Sequence, residues 1–299
     1  TDPGTCAYRS RLQEAQAAAK DFLTQFATET GATGDDRRMA AIVSFGSDAK
    51  RELNWVDVRT QAGMKAATDA IDNIQVGHGH GFGSYWGGTN IEGGLMLAKN
   101  ILNAGRQRGG AIEGVNYLYS ILLTDGEPTY HVENNWNYAT DDISGTRGGG
   151  DSTEYNDAAD VGNEADIIRL MTPLSKLYSI CFGQGVWNLT PFGNWSDANP
   201  STTKGTTIGN WLTKFSTKAY DGQAEGLFDT FDSIADQIAV AAQAWRVTDT
   251  MGQDIVYEGE LPVYGDGQRV DNAVTVSEDG NSFVWNILAS KYDPDITNI

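Results

Sequence analysis

Asp125 carries the strongest chemical signal in this chain. It stands in Leu122-Leu123-Thr124-Asp125-Gly126-Glu127-Pro128, where an apolar run from Tyr117 to Leu123 feeds a carboxylate straight into a Gly/Pro turn. A buried strand that ends this way sets Asp125 on the rim of a sheet. Upstream, Gly87-Gly88-Thr89-Asn90-Ile91-Glu92 places a hydroxyl at the start of a predicted helix, behind a glycine-rich loop. In open α/β sheets, ligands gather outside the carboxyl ends of the strands. A Thr hydroxyl and an Asp carboxylate are hard oxygen donors suited to Mg2+, Mn2+ or Ca2+. Thr89 and Asp125 are therefore the predicted ligands of a divalent cation. Each also has a plainer role: Thr89-x-x-Glu92 fits a capping box, and Asp-Gly is a common turn dipeptide.

The elements that must position these two residues follow from periodicity. Ser10-x-x-Gln13 opens a helix with Leu12, Ala15, Ala19, Phe22, Leu23 and Phe26 on one face. Met39 to Phe45 reads as a buried strand and Glu52 to Val58 as a polar edge strand. Helices are predicted from Thr60 to Ile74 and from Asn90 to Asn103. The strand Tyr117 to Leu123 follows, then a helix around Glu164 to Leu174, a strand from Leu177 to Phe182, and a helix from Ala224 to Ala244. This alternation predicts an α/β fold, a doubly wound and mostly parallel sheet with helices on both faces.

Two long inserts, 129–160 and 184–207, lack helix or strand periodicity, and loops of that length tend to be functional or disordered. Both follow strands, which puts them on the same rim as Asp125. Tyr85, Trp86, Tyr130, Trp136, Trp187 and Trp195 gather in these rim loops. Large amphipathic rings suit ligand-binding hot spots or sugar stacking; they serve equally to pin the inserts to the body. After Trp245 the pattern turns β-rich, with Arg246 to Asp249, Asp254 to Tyr257, Ala273 to Ser277 and Ser282 to Ile287 split by Gly/Asp turns. The predicted division is 1–245 for the α/β domain and 246–299 for a β module or part of one. The absence of a closing signal at Asn298-Ile299 reads as a fragment of a longer protein.

Composition narrows the partners. In 299 residues, 21 Lys and Arg face 40 Asp and Glu, a formal charge of −19. That sign disfavours phosphate backbones and anionic membrane surfaces, so no nucleic-acid partner is expected. No stretch reaches the roughly 20 apolar residues of a membrane span. Cys6 and Cys181 lack the spacing of a zinc or redox motif. They are either a disulfide, which would mark an oxidising compartment, or two buried thiols.

Three other constellations carry less. Asp142-Ile143-Ser144-Gly145-Thr146 matches Asp-x-Ser-x-Thr without a buried strand to place it. The acidic run of Asp141, Asp142, Asp151, Glu154 and Asp157 lacks the register of a calcium loop. His78 and His80 sit in a glycine loop with no third ligand for zinc.

The order of elements from 1 to 245 resembles a von Willebrand factor A domain. The residues that carry the likeness are Ile42-Val43-Ser44-Phe45, Gly87-Gly88-Thr89-Asn90-Ile91 and Leu122 to Pro128. The resemblance implies a metal-ion-dependent adhesion site, with Thr89 a direct ligand and Asp125 binding directly or through water. A strand ending in Asp-x-Ser-x-Ser, which supplies further ligands in that family, would precede the Ser10 helix, and Thr1 to Tyr8 looks like the tail of its loop. The long polar inserts, with Val247-Thr248-Asp249-Thr250-Met251-Gly252 and Val284-Trp285-Asn286-Ile287, resemble pilus-tip adhesins of Gram-positive bacteria.

The function so implied is that of an extracellular adhesin, at a pilus tip or cell wall, that grips a surface protein or glycan of a host or partner cell through an acidic group, alongside other pilus subunits. The alternatives are a structural subunit with a vestigial site, or a metal-dependent hydrolase using Asp125 and Glu127. The last has no Gly-x-Ser-x-Gly elbow and no Walker loop.

Overall fold

A strict two-residue alternation organises the centre of the molecule. The structure is a computed structural model that describes residues 10–28, 38–75, 88–108, 118–133, 142–143, 146–149, 153–171, 175–191 and 206–243, with five short strands between 246 and 286. Strands β3 (Leu118–Thr124), β7 (Ser175–Cys181) and β8 (Lys218–Asp221) form a parallel sheet in the order β3-β7-β8. Leu118, Leu122, Leu177 and Cys181 point to one face, where they meet α3 (Ile91–Arg108), α4 (Tyr155–Leu170) and α5 (Ile208–Phe215). Tyr119, Ile121, Leu123, Tyr178, Ile180 and Tyr220 point to the other, against α1 (Arg11–Thr28) and α6 (Leu227–Gln243). Burial on both faces makes these strands near-continuous apolar runs, and the doubly wound α/β expectation holds.

A second sheet, in the order β1-β2-β5, holds β1 (Met39–Phe45), β2 (Ala49–Asp57) and β5 (Asp142–Ile143). Here the expectation of parallel strands needs correction. The Gly46 amide donates to Asp48 O across 2.7 Å, which closes a tight turn, and a connection this short permits only antiparallel pairing. Nor is β2 a free edge, since β5 pairs with its first residues. Helix α2 (Gln61–Asp72), with Thr60 accepting from the Gly63 amide, covers one face of this sheet together with α1. Helix α3 covers the other, and Phe45 and Trp55 carry the core on to Leu118 and Leu122.

Other boundaries shift for identifiable reasons. Helix α4 begins at Tyr155 rather than near Glu164, because its first half presents Asp157, Ala158 and Ala159 to the core instead of a stripe of large apolar residues. Helix α5 and strand β8 lie between the second insert and the last helix, where the sequence pattern predicts no element, and they follow Thr207, whose hydroxyl accepts from the Asn210 amide at 3.2 Å. The first insert contains strand β4 (Tyr130–Val132), β5 and β6 (Thr146–Gly148), with β4 and β6 antiparallel. In the second, Val186–Asn188 forms a short 3-10 turn. The Ile208 amide donates to Leu189 O, which brings the two ends of that excursion together.

Beyond α6 the described residues form β9 (Arg246–Thr250), β10 (Val263–Gly265), β11 (Gln268–Val270), β12 (Val274–Val276) and β13 (Ser282–Asn286). Strand β13 lies between β12 and β9, and β10 pairs with β11, all antiparallel. The run Asp254 to Tyr257 lies outside the described residues. No helix among the described residues is long and apolar enough to cross a membrane.

Candidate functional site

The loop that carries Thr89 is fastened from two sides. Its neighbours are tied to the β1–β2 turn: the Gly88 amide donates to Ser47 Oγ (3.2 Å), the Asn90 amide to Gly46 O (2.7 Å), and Asn90 Nδ2 to Ser47 O (3.2 Å). Thr89 itself is tied to the strand beyond Asp125. Its amide donates to Thr129 Oγ1 (2.9 Å), and its carbonyl accepts from the amides of Thr129 (2.9 Å) and Tyr130 (3.3 Å).

The capping-box reading of Thr89 and Glu92 does not survive. Asn90 caps α3 instead, its Oδ1 accepting from the Gly93 amide at 2.8 Å. Glu92 turns away from the helix start and accepts the Val132 amide at 2.7 Å. The Thr89 hydroxyl is thereby left out of the cap. It faces the turn after Asp125, where a Cβ built on Gly126 would stand 3.3 Å from Thr89 Oγ1. Glycine at 126 lets the two loops approach this closely.

Asp125 sits where β3 ends, at the carboxyl rim of the parallel sheet, and its side chain is 57% exposed. Strand pairing sets Thr124 beside Cys181 and Cys181 beside Asp221, so three strand ends share the rim. Asp221 accepts from the amides of Gln223 and Ala224 and is committed to its own turn. Glu127 accepts from Thr153 Oγ1 at 2.8 Å, which ties the Asp125 loop to the segment entering α4. Arg11, the first residue of α1, reaches the same rim. Its Nη1 lies 3.6 Å from Asp125 Oδ2, and its guanidinium lies at van der Waals distance from the position of a Cβ built on Gly183, whose φ of +136° favours glycine.

By type Thr89 and Asp125 suit a hard divalent cation: a hydroxyl spared from capping that faces Gly126, the residue after an exposed carboxylate. Among the described residues no group of three or more His, Cys, Asp or Glu side chains that would hold a metal forms anywhere. A cation held by these two residues would need water or other oxygens to fill its remaining positions, as is usual for Mg2+.

The remaining predicted residues divide. Tyr130 packs its ring against Gly88, beside Thr89, in the space a Cβ at 88 would fill. Trp187 lies over Gly209 of α5 in the same manner and packs against the main core. Both rings are partly buried and hold loops to the body. Tyr85, Trp86, Trp136, Trp195, His78 and His80 lie outside the described residues. Cys181 is a free thiol, 1% exposed, pushed up to about 12 by burial, with Asp221 and Asp125 adding to the shift. Cys6 lies outside the described residues. In the Asp142 to Thr146 segment, Thr146 Oγ1 donates to Asp48 at 3.2 Å, and β5 extends the first sheet.

Sequence reasoning missed Arg11, Thr129 and a buried pair, His131 with Asp157, whose Nδ1 and Oδ1 lie 2.7 Å apart. Arg11 directly follows the Ser10 cap and Thr129 directly follows Pro128, so each was within reach of a motif already singled out.

Comparison with known proteins bears on the fold. Residues 4–127 match the family described as von Willebrand factor type A domain. The crystal structure of the pilus adhesin SpaC from Lactobacillus rhamnosus GG superposes with a TM-score of 0.51 at 16% identity, covering 92% of this chain and 34% of that one. This chain thus spans about a third of that adhesin. The vWF domain of the type V pili tip protein Mfa5 from Porphyromonas gingivalis gives 0.46 at 15% identity, covering 78% of this chain and 90% of that one. No curated protein matches the sequence. The fold is a von Willebrand factor A fold, similar to that of the SpaC structure.

Proposed function

We propose that this chain is an adhesive domain of a surface-exposed, pilus-type protein, and that Thr89 and Asp125 hold a divalent cation at the carboxyl rim of its sheet. When bound, the cation supplies a coordination position open to an acidic group of the partner. What supports the reading is that the Thr89 hydroxyl, excluded from the α3 cap, faces Gly126 in the turn directly after the exposed Asp125.

The chain's own residues do the rest. Asn90 and Ser47 hold one side of the Thr89 loop, Thr129 and Tyr130 the other, and Gly126 gives the close approach. A preorganised pair of donors loses less entropy on binding than two mobile loops would. A cation at this rim also offsets the repulsion between an acidic partner and a chain of formal charge −19. The partner we infer is a protein or glycan on a host or neighbouring cell, met outside the cell, with other pilus subunits as assembly partners.

The ion pair between Arg11 and Asp125 favours one second reading, a structural subunit in which the guanidinium has taken over the role of the cation. Attachment of the purified protein to host or bacterial cells, measured with Mn2+ and again after EDTA, separates the two. The adhesive reading expects attachment to be lost on chelation and restored by Mn2+. Attachment unchanged in EDTA contradicts it.

A further inference from the structure

Between α3, β4 and α4 lies a set of buried ionisable side chains to which neither proposed cation donor belongs. Glu92 and His131 are each 7% exposed and Asp157 is fully enclosed. Glu92 Oε2 accepts the Val132 amide at 2.7 Å. One residue back, His131 meets Asp157, whose second oxygen accepts the Glu154 amide at the start of α4, also at 2.7 Å. The two residues before His131, Thr129 and Tyr130, grip both backbone polar groups of Thr89. Residues 129–132 therefore form a strap with one attachment to α3, one to α4 and three hydrogen bonds to Thr89.

We propose that this strap positions Thr89 and that Glu92 controls it, holding the strap closed while protonated and loosening it on ionisation. The consequence for cation binding rests on the assignment of Thr89 as a donor; the strap itself rests on the geometry alone.

The physical reason is the enclosure of Glu92. A carboxylate taken out of water without a full set of partners is costly, and the single Val132 amide repays part of that cost. Among the described residues the other charges acting on Glu92 are Asp160 and Glu164 from α4, which oppose its ionisation, and His131 from β4, which favours it. Lys99, on the same helix, is engaged with Glu164. Burial dominates, and the carboxyl is pushed up to about 7. With the strap open and Glu92 hydrated, the group returns toward its ordinary range near 4.5. The closed form thus holds the proton more tightly, and rising pH favours opening. Glutamine at 92 keeps an oxygen for the Val132 amide and cannot ionise.

Hydrogen exchange reads local opening directly. Amide exchange of Tyr130–Val132 and Thr89, corrected for intrinsic rates, is to be followed between pH 6 and 8 in the full chain and in Glu92→Gln, with Mn2+ affinity measured over the same range. The proposal expects wild-type protection to fall about tenfold across that range, Mn2+ affinity to fall with it, and both profiles to be flat in Glu92→Gln. A flat wild-type exchange profile overturns the proposal whatever the variant does, as does a variant profile that falls like the wild type. A falling exchange profile with pH-independent Mn2+ affinity overturns the positioning of Thr89. If Mn2+ binds at no pH, the cation assignment fails, and the strap is judged on exchange alone.

Discussion

Arg11 Nη1 stands 3.6 Å from Asp125 Oδ2, so the first residue of α1 places a fixed positive charge beside the carboxylate that would bind a cation. The two positive charges draw on the same group and repel one another. Both side chains are more than half exposed, which limits the pair to about 1 kcal/mol or less. Arg11→Gln is therefore expected to raise Mn2+ affinity by roughly two- to fivefold, as read by titration calorimetry. Equal affinities in the two proteins would remove Arg11 from the account.

Separating the Thr89 hydroxyl from the helix cap makes a contrast in stability. Asn90 caps α3 and also binds Ser47 O, so Asn90→Ala is expected to lose about 1–2 kcal/mol in urea denaturation. Thr89→Ala removes no cap and should fall within about 0.5 kcal/mol of wild type. The reverse order would restore Thr89 to the capping role.

Gly88 is needed for what it lacks. The Tyr130 ring occupies the space a Cβ at 88 would fill, and the backbone on both sides is hydrogen-bonded in place. Gly88→Ala should cost about 1–3 kcal/mol by overpacking and weaken Mn2+ binding as the Thr89 loop shifts. Unchanged melting and Mn2+ affinity would show that the ring moves aside freely.

Glu92 also leaves a mark on global stability. Its folded carboxyl titrates at about 7 against an ordinary 4.5, so between those values the unfolded chain has lost a proton that the folded chain retains. Stability from this group is complete at acid pH, declines as pH rises from about 4.5, and levels off above about 7. The stability of Glu92→Gln relative to wild type should rise over that window by up to about 3 kcal/mol. Denaturation at pH 5 and pH 8 measures it, and a constant difference would contradict the shift.

How much of this was legible in the sequence depended on how local each signal was. Ser10 and Gln13 form the capping box their spacing announced, with the Ser10 amide donating to Gln13 Oε1 and the Gln13 amide to Ser10 Oγ. Leu118 to Thr124 declared itself as a buried strand because both of its faces are covered. Thr89 and Glu92 match the same capping pattern, yet Asn90 takes the cap and Glu92 bonds to Val132, forty residues away in sequence. Asn90 competes for the cap from the next position, but a short motif cannot report a partner for Glu92 that arrives from an insert.

Strand β8 is four residues long, and β4 and β6 are three each, too short for alternation to emerge. For Tyr130 and Trp187 the sequence left ligand binding and pinning of the inserts equally open; their seats on Gly88 and Gly209 depend on contacts that no local pattern encodes. Asp125 on the rim was legible because a strand and its turn are neighbours in sequence. The strap of 129–132 was not, because its attachments lie on two separate helices.

The central claim is that Thr89 and Asp125 share one divalent cation, and titration calorimetry with Mn2+ tests it most directly, using the wild type, Thr89→Ala and Asp125→Ala after each is shown to melt cooperatively. One-to-one binding in the wild type, weakened at least about tenfold by either substitution, is the predicted result. Mn2+ binding of equal strength in all three proteins, or none in the wild type, would contradict it.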